Sequence, residues 1–146
     1  MSPLRRLRSG ELIALLGVLC LIASLLLPDY DSPIGHLSAW STFGAGVALL
    51  LAALCAGLAM VISALGERSP ALPVSMAVWC VPLGLAATIA AIVRAIERPE
   101  HASSLALGGW LALVGALAIL AGGWQALRDE RPSMYEPATP EVRPRP

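Results

Sequence analysis

Four stretches without a single charged side chain dominate this chain: residues 12–27, 43–65, 73–93 and 105–127. A helix in a water-soluble domain carries one apolar stripe, whereas these runs are apolar all round and need apolar surroundings on every side. At about 1.5 Å per residue, the three runs of 21 to 23 residues reach roughly 31–35 Å, enough for a hydrocarbon core of about 30 Å. The first run has 16 residues and reaches only about 24 Å. It spans if Glu11 and the arginines before it sit among headgroups, or if the bilayer thins locally. The expected fold is therefore all-α: a transmembrane antiparallel four-helix bundle of up-down-up-down order, with helices at about residues 11–27, 43–65, 73–96 and 105–127. A basic cytoplasmic N-terminus (residues 1–10) precedes it and a disordered, proline-rich cytoplasmic tail (residues 128–146) follows.

Net charge is zero, so no excess points to nucleic acid, and charge position is the informative quantity. All ten basic residues are arginines, and eight of them (Arg5, Arg6, Arg8, Arg68, Arg128, Arg131, Arg143, Arg145) fall on one side of a four-pass chain. Only Arg94 and Arg98 fall on the other side, which places both termini in the cytoplasm and the chain in the cytoplasmic membrane. Tyr30, Trp40 and Trp110 then lie near the outer boundary and Trp79 and Trp124 near the inner one, where rings with an apolar body and a polar edge concentrate. Three arginines before an apolar run also describe a signal peptide. The run ends Leu25-Leu26-Leu27-Pro28 with no small-x-small pair after it, and Cys20 follows Leu19 rather than a small residue, so the segment is expected to remain as the first span.

The outer segment 28–42 holds a turn signal at Asp31-Ser32-Pro33 and a glycine at Gly35. Leu37, Trp40 and Phe43 recur every third residue there, and two readings stay open: a short interfacial helical turn laying Trp40 on the membrane, or an irregular loop with one anchoring tryptophan. Pro73 suits the first turn of the third helix. Pro82 lies inside that helix and predicts a structural kink near Val78.

Helices in lipid associate by close packing, which requires small side chains at the contact. The second helix offers Gly44, Ala48, Ala52 and Ala56 at spacing four. The third offers Ala87, Ala91 and Ala95 beside Cys80, Gly84 and Thr88; the fourth offers Gly108, Gly115 and Gly122 at spacing seven, with Ala112 and Ala126 near the same face. These rows are expected to face neighbouring helices, and the leucine-rich first helix is expected to have more lipid contact.

Reactive groups are few. Cys20, Cys55 and Cys80 lie singly within spans with no C-x-x-C pair, which reads as packing. His36 and His101 stand one in each outer loop, near Asp29, Asp31, Glu97 and Glu100, and could hold zinc only if the loops met; no ligand pair has the helical spacing that would fix it on one element. Arg94 reaches about one turn into a span. It either snorkels outward, pairs with Glu97, Asp29 or Asp31, or contacts an anion or substrate. Arg94, Glu97, Asp29, Asp31, His36 and His101 thus form a candidate polar cluster on the outer face. No phosphate loop, nucleophile elbow, HExxH or dinucleotide fingerprint occurs, and no cofactor is expected.

The basic N-terminus, the first helix ending Leu27-Pro28-Asp29-Tyr30, the outer Ser38-Ala39-Trp40, the inner Arg68-Ser69-Pro70-Ala71-Leu72-Pro73 and the closing Gly122-Gly123-Trp124 together resemble small uncharacterised four-span integral membrane proteins of actinobacteria. In such proteins the first helix often ends Leu-Pro-Trp-Tyr, and Asp29 takes the place of that tryptophan. The resemblance covers most of residues 1–130 and implies a fold and no activity. The functional expectation is a membrane protein without a catalytic site, a packing, scaffold or accessory subunit whose partners are the bilayer and a second copy or another membrane protein. The alternatives are a component of a transporter or channel, resting on Pro82, Thr88 and Arg94, and an intramembrane enzyme or outer-face metal-binding protein, resting on the outer histidines and carboxylates.

Overall fold

The computed structural model describes residues 7–33, 35–42, 44–66, 71–97 and 102–129. In chain order these form α1 (Ser9–Leu26), β1 (Pro28–Ser32), β2 (Gly35–Ser38), α2 (Ala39–Thr42), α3 (Gly46–Leu65), α4 (Ala71–Ile96), β3 (Ser104–Leu105) and α5 (Leu107–Asp129). The four long helices α1, α3, α4 and α5 are each long and apolar enough to cross a membrane, with mean hydropathy of 1.7 to 2.5. Phe43, Arg68, Arg98, Glu100, His101 and the tail from residue 130 onward lie outside the described residues.

Helix α1 starts three residues before the apolar run because Glu11 caps it: the Arg8 N–H donates to Glu11 Oε2 at 2.8 Å. The carboxylate also sits at the positive end of the helix. Helix α3 starts later, at Gly46, because Gly44 adopts φ +51°, a left-handed conformation that ends a helix rather than continuing one. Helix α4 continues through Pro82 up to Ile96.

The first helix is not the most exposed one: as much of its span is buried as of α3, and more than of α4. Gly10, Ala14, Gly17, Leu21 and Ser24 recur at spacings of three and four and are all buried. They form a seam against the stripe Gly108, Gly115 and Gly122 of α5. A Cβ added at Gly10 would stand 2.8 Å from the Gly122 carbonyl oxygen, and one at Gly17 would stand 2.8 Å from the Gly115 carbonyl oxygen. Rising numbers on one helix meet falling numbers on the other, so the two run antiparallel. Backbones this close place Cα–H groups against facing carbonyls, a weak attraction that recurs at glycine-lined crossings. Leucines dominate the composition of α1, but two glycines seven residues apart decide its packing.

A second face of α5 meets α4. A Cβ at Gly84 would lie 2.8 Å from the Leu120 backbone nitrogen, and one at Gly123 would lie 2.6 Å from Cys80 Cβ. Gly84 and Thr88 therefore lie at a helix contact, with the buried Thr88 hydroxyl donating to the Gly84 carbonyl at 2.7 Å. Helix α3 closes the bundle, its Gly57 facing Val18 and Ile119.

On α3 the row Gly44, Ala48, Ala52, Ala56 does not form one contact face. Gly44 precedes the helix with open space around it, Ala48 is exposed, Ala52 is half-buried and Ala56 is buried. At 3.6 residues per turn a spacing of four drifts about 40° per step, so the row winds from the outside to the inside of the bundle. A spacing of seven drifts only about 20° per step and stays on its face. The buried side of α3 consists instead of Val47, Leu50, Ala53, Leu54, Gly57, Met60 and Val61, beside Ala56.

The structure is mostly helical and its four long apolar helices are compatible with an all-α bundle, to which a small sheet is added. The strands make a three-stranded antiparallel sheet of order β2-β1-β3 at one end of the bundle. The turn signal lies where expected, with Ser32 opposite Gly35, but the flanking residues pair as a hairpin rather than an irregular loop. Helix α2 is the single helical turn that carries Trp40. Its indole N–H donates to the Leu25 carbonyl at 3.3 Å, satisfying an acceptor left open at the end of α1.

Candidate functional site

Strand β1 joins the segment after α1 to the segment before α5. Its Asp29 carbonyl accepts from the Ala106 N–H at 2.7 Å, and its Asp31 carbonyl accepts from the Ser103 N–H at 2.9 Å and the Ser103 hydroxyl at 2.8 Å. The backbone groups leading into α5 are thus satisfied by a segment more than 70 residues earlier. Tyr30 is fully buried, and its hydroxyl donates to the Arg94 carbonyl at 2.6 Å, holding the sheet to the last turns of α4.

Successive strand residues ordinarily face opposite sides, yet Asp29 and Tyr30 are both fully buried. The reason is a break in register between Pro28 and Tyr30: Asp29 is the extra residue of a bulge, which frees its side chain from alternation. Its carboxyl group turns toward the first turn of α5, where a Cβ on Gly108 would lie 2.6 Å from Asp29 Oδ1, 2.6 Å from the Pro28 carbonyl oxygen and 2.9 Å from the Leu27 carbonyl oxygen. Neither carboxyl oxygen has a hydrogen-bond partner. The positive end of α5 favours an anion there, but desolvation dominates, and burial pushes the Asp29 carboxyl up to about 6.

The other members of the expected cluster are scattered. Asp31 and His36 meet, Oδ1 to Nδ1 at 3.2 Å, but both are exposed, so the pair contributes little. Arg94 is half-buried and contributes its carbonyl; its guanidinium does not reach Asp29, whose oxygens are unpartnered. Glu97 is exposed, and His101 lies outside the described residues. Among the described residues no three His, Cys, Asp or Glu side chains converge as metal ligands would. Cys20, Cys55 and Cys80 are free thiols, and Cys80 lies 3.7 Å from the Met60 sulfur in the core.

Two features escaped sequence reasoning. Asp29, expected in a polar cluster with Arg94, is instead fully buried without a partner for its carboxyl group among the described residues, and its place between Pro28 and a large aromatic at a helix end hints at a turn into the protein. At the opposite end of the bundle, Gln125 Nε2 donates to Ser9 Oγ at 2.9 Å and Asp129 lies 3.5 Å from the same hydroxyl, tying the start of α1 to the end of α5. Compared with known protein families, curated proteins and solved structures, the chain matches none.

Proposed function

We propose that the chain is a polytopic protein of the cytoplasmic membrane, inserted up-down-up-down with both termini inside, and that it acts as a packing or accessory subunit for a second copy or another membrane protein rather than as a catalyst. The observation that supports this most is the filled centre of the bundle. Val18, Leu50, Met60, Cys80 and Ile119 are buried and apolar, and α5 is closed against α1 and α4 by glycine contacts on two faces. A groove of about 620 Å³ runs instead along the outside of α5, past Leu117, Leu120 and Trp124 to Arg128. The four tryptophans Trp40, Trp79, Trp110 and Trp124 are exposed on the bundle surface, Trp40 and Trp110 toward the sheet end. That is the arrangement rings at two bilayer interfaces would take.

Cysteine labelling from outside intact cells should modify Ser32→Cys and spare Ser133→Cys; the reverse pattern contradicts the orientation. Cross-linking in native membranes followed by purification in mild detergent should yield a defined complex with a second copy or another membrane protein. A purified chain that instead carries solute or ion flux into proteoliposomes, lost on Arg94→Ala, would replace this reading with the transport one. That alternative draws on Pro82 within α4 and the half-buried Arg94 at its end.

A further inference from the structure

The one fully buried carboxylate of the sheet end has no partner, and the groups around it leave little choice of ligand. Asp29 Oδ1 and the Leu27 and Pro28 carbonyl oxygens crowd around the Cα of Gly108. All are electron-rich, and they lie at the negative end of α1. A metal ion such as sodium or calcium needs about six oxygens and room between them, whereas Asp29 is completely enclosed. A proton needs neither.

We propose that Asp29 is a proton-binding site that couples docking of the outer sheet onto α5 to the pH outside the bundle. Protonation from solvent neutralises the carboxylate and removes the cost of holding a charge in an enclosed site. Loss of that proton to solvent leaves a buried anion without a hydrogen-bond partner among the described residues, and the anion is relieved only when β1 lifts from α5. Because Asp29 is sealed, proton exchange and undocking are one event.

Among the described residues no ionisable side chain faces Asp29, and the positive end of α5 is the one feature that favours its anion. The wall from α1 has no ionisable side chain beyond Glu11 except the Cys20 thiol, and α5 has none before Arg128. Strand β3 and helix α2 have none. On β1 and β2, Tyr30 is bonded to the Arg94 carbonyl, and Asp31 and His36 face solvent and each other. At the end of α4, Arg94 leaves the Asp29 oxygens unpartnered and Glu97 is exposed.

The direction follows from linkage. The docked form holds the proton up to about pH 6, against 3.8 for a free aspartate, so docking is favoured fully below pH 3.8 and weakens as pH rises through about 6. In full-length protein in detergent micelles, hydrogen exchange at the Ala106 amide, which bonds the Asp29 carbonyl, reports undocking. Corrected for intrinsic rates, its opening constant should rise on the order of 20–30-fold from pH 4.5 to 7.5, and in Asp29→Asn it should stay flat. A wild-type constant independent of pH, or an equal rise in Asp29→Asn, overturns the proposal. Should Asp29→Asn not fold, a carboxyl ¹³C titration of the wild type decides: a midpoint near 6 supports the site and one near 4 overturns it.

Discussion

The two ends of the α1–α5 seam are built on the same glycine stripe and behave differently. At the end away from the sheet Gly122 faces the Gly10 carbonyl and the Ala14 backbone, and every group in contact is a satisfied helix backbone or a methyl. At the sheet end Gly108 faces carbonyls too, but also a carboxyl group that the chain delivers one bulge beyond the last turn of α1. Both contacts demand glycine for the same steric reason. Only at Gly108 is a titratable group among the atoms facing the glycine; at the other end Glu11 and Asp129 bond to Arg8 and Ser9 instead. A seam of this kind can therefore be permanent at one end and conditional at the other, without any change in the helix that supplies the stripe.

The largest expected effect probes the permanent end. Gly122→Leu places a side chain against backbone atoms at 2.6 and 2.7 Å that cannot rotate away, so it should destabilise the protein by about 3 kcal/mol, the upper range for overpacking. Its loss in thermal midpoint should be the same at pH 4.5 and 7.5; a loss confined to one pH would erase the distinction between the ends. At the sheet end, Tyr30→Phe removes the part-buried bond to the Arg94 carbonyl, which should cost about 1 kcal/mol by denaturant titration in detergent. No loss would mean that the sheet is not held to α4 through that hydroxyl. The smallest effect belongs to Trp40→Phe: its bond to the Leu25 carbonyl is 3.3 Å long and exposed, so at most about 0.5 kcal/mol should be lost.

The end away from the sheet is far more legible in the sequence than the sheet end. Glycine is poor in helices, so three glycines seven apart in α5 stand out, and the close contacts of Gly108, Gly115 and Gly122 follow from that spacing. Gly10 and Gly17 repeat at the same interval but are hidden among leucines, which misdirected α1 toward lipid. Alanine is too common for spacing alone to be read, and the drift of a four-residue repeat defeats the row from Gly44 to Ala56. The outer sheet is barely visible in the sequence: β3 is two residues long and its partner lies more than 70 residues away. Asp29 looks like a loop carboxylate until the bulge that buries it is known.

Helix α5 is packed through its glycines, while Leu107 and Leu117 are exposed. Comparing Gly115→Leu with Leu117→Ala in thermal melts of the detergent-solubilised chain tests this most directly. Gly115 faces the Leu21 side chain at 2.9 Å and the Gly17 carbonyl oxygen at 3.0 Å, whereas Leu117 is 45% exposed. Gly115→Leu should cost about 1–3 kcal/mol, and Leu117→Ala, whose side chain exchanges one apolar surrounding for another, should stay within about 0.5 kcal/mol of wild type. A larger loss from Leu117→Ala than from Gly115→Leu would turn α5 the other way round and contradict the seam.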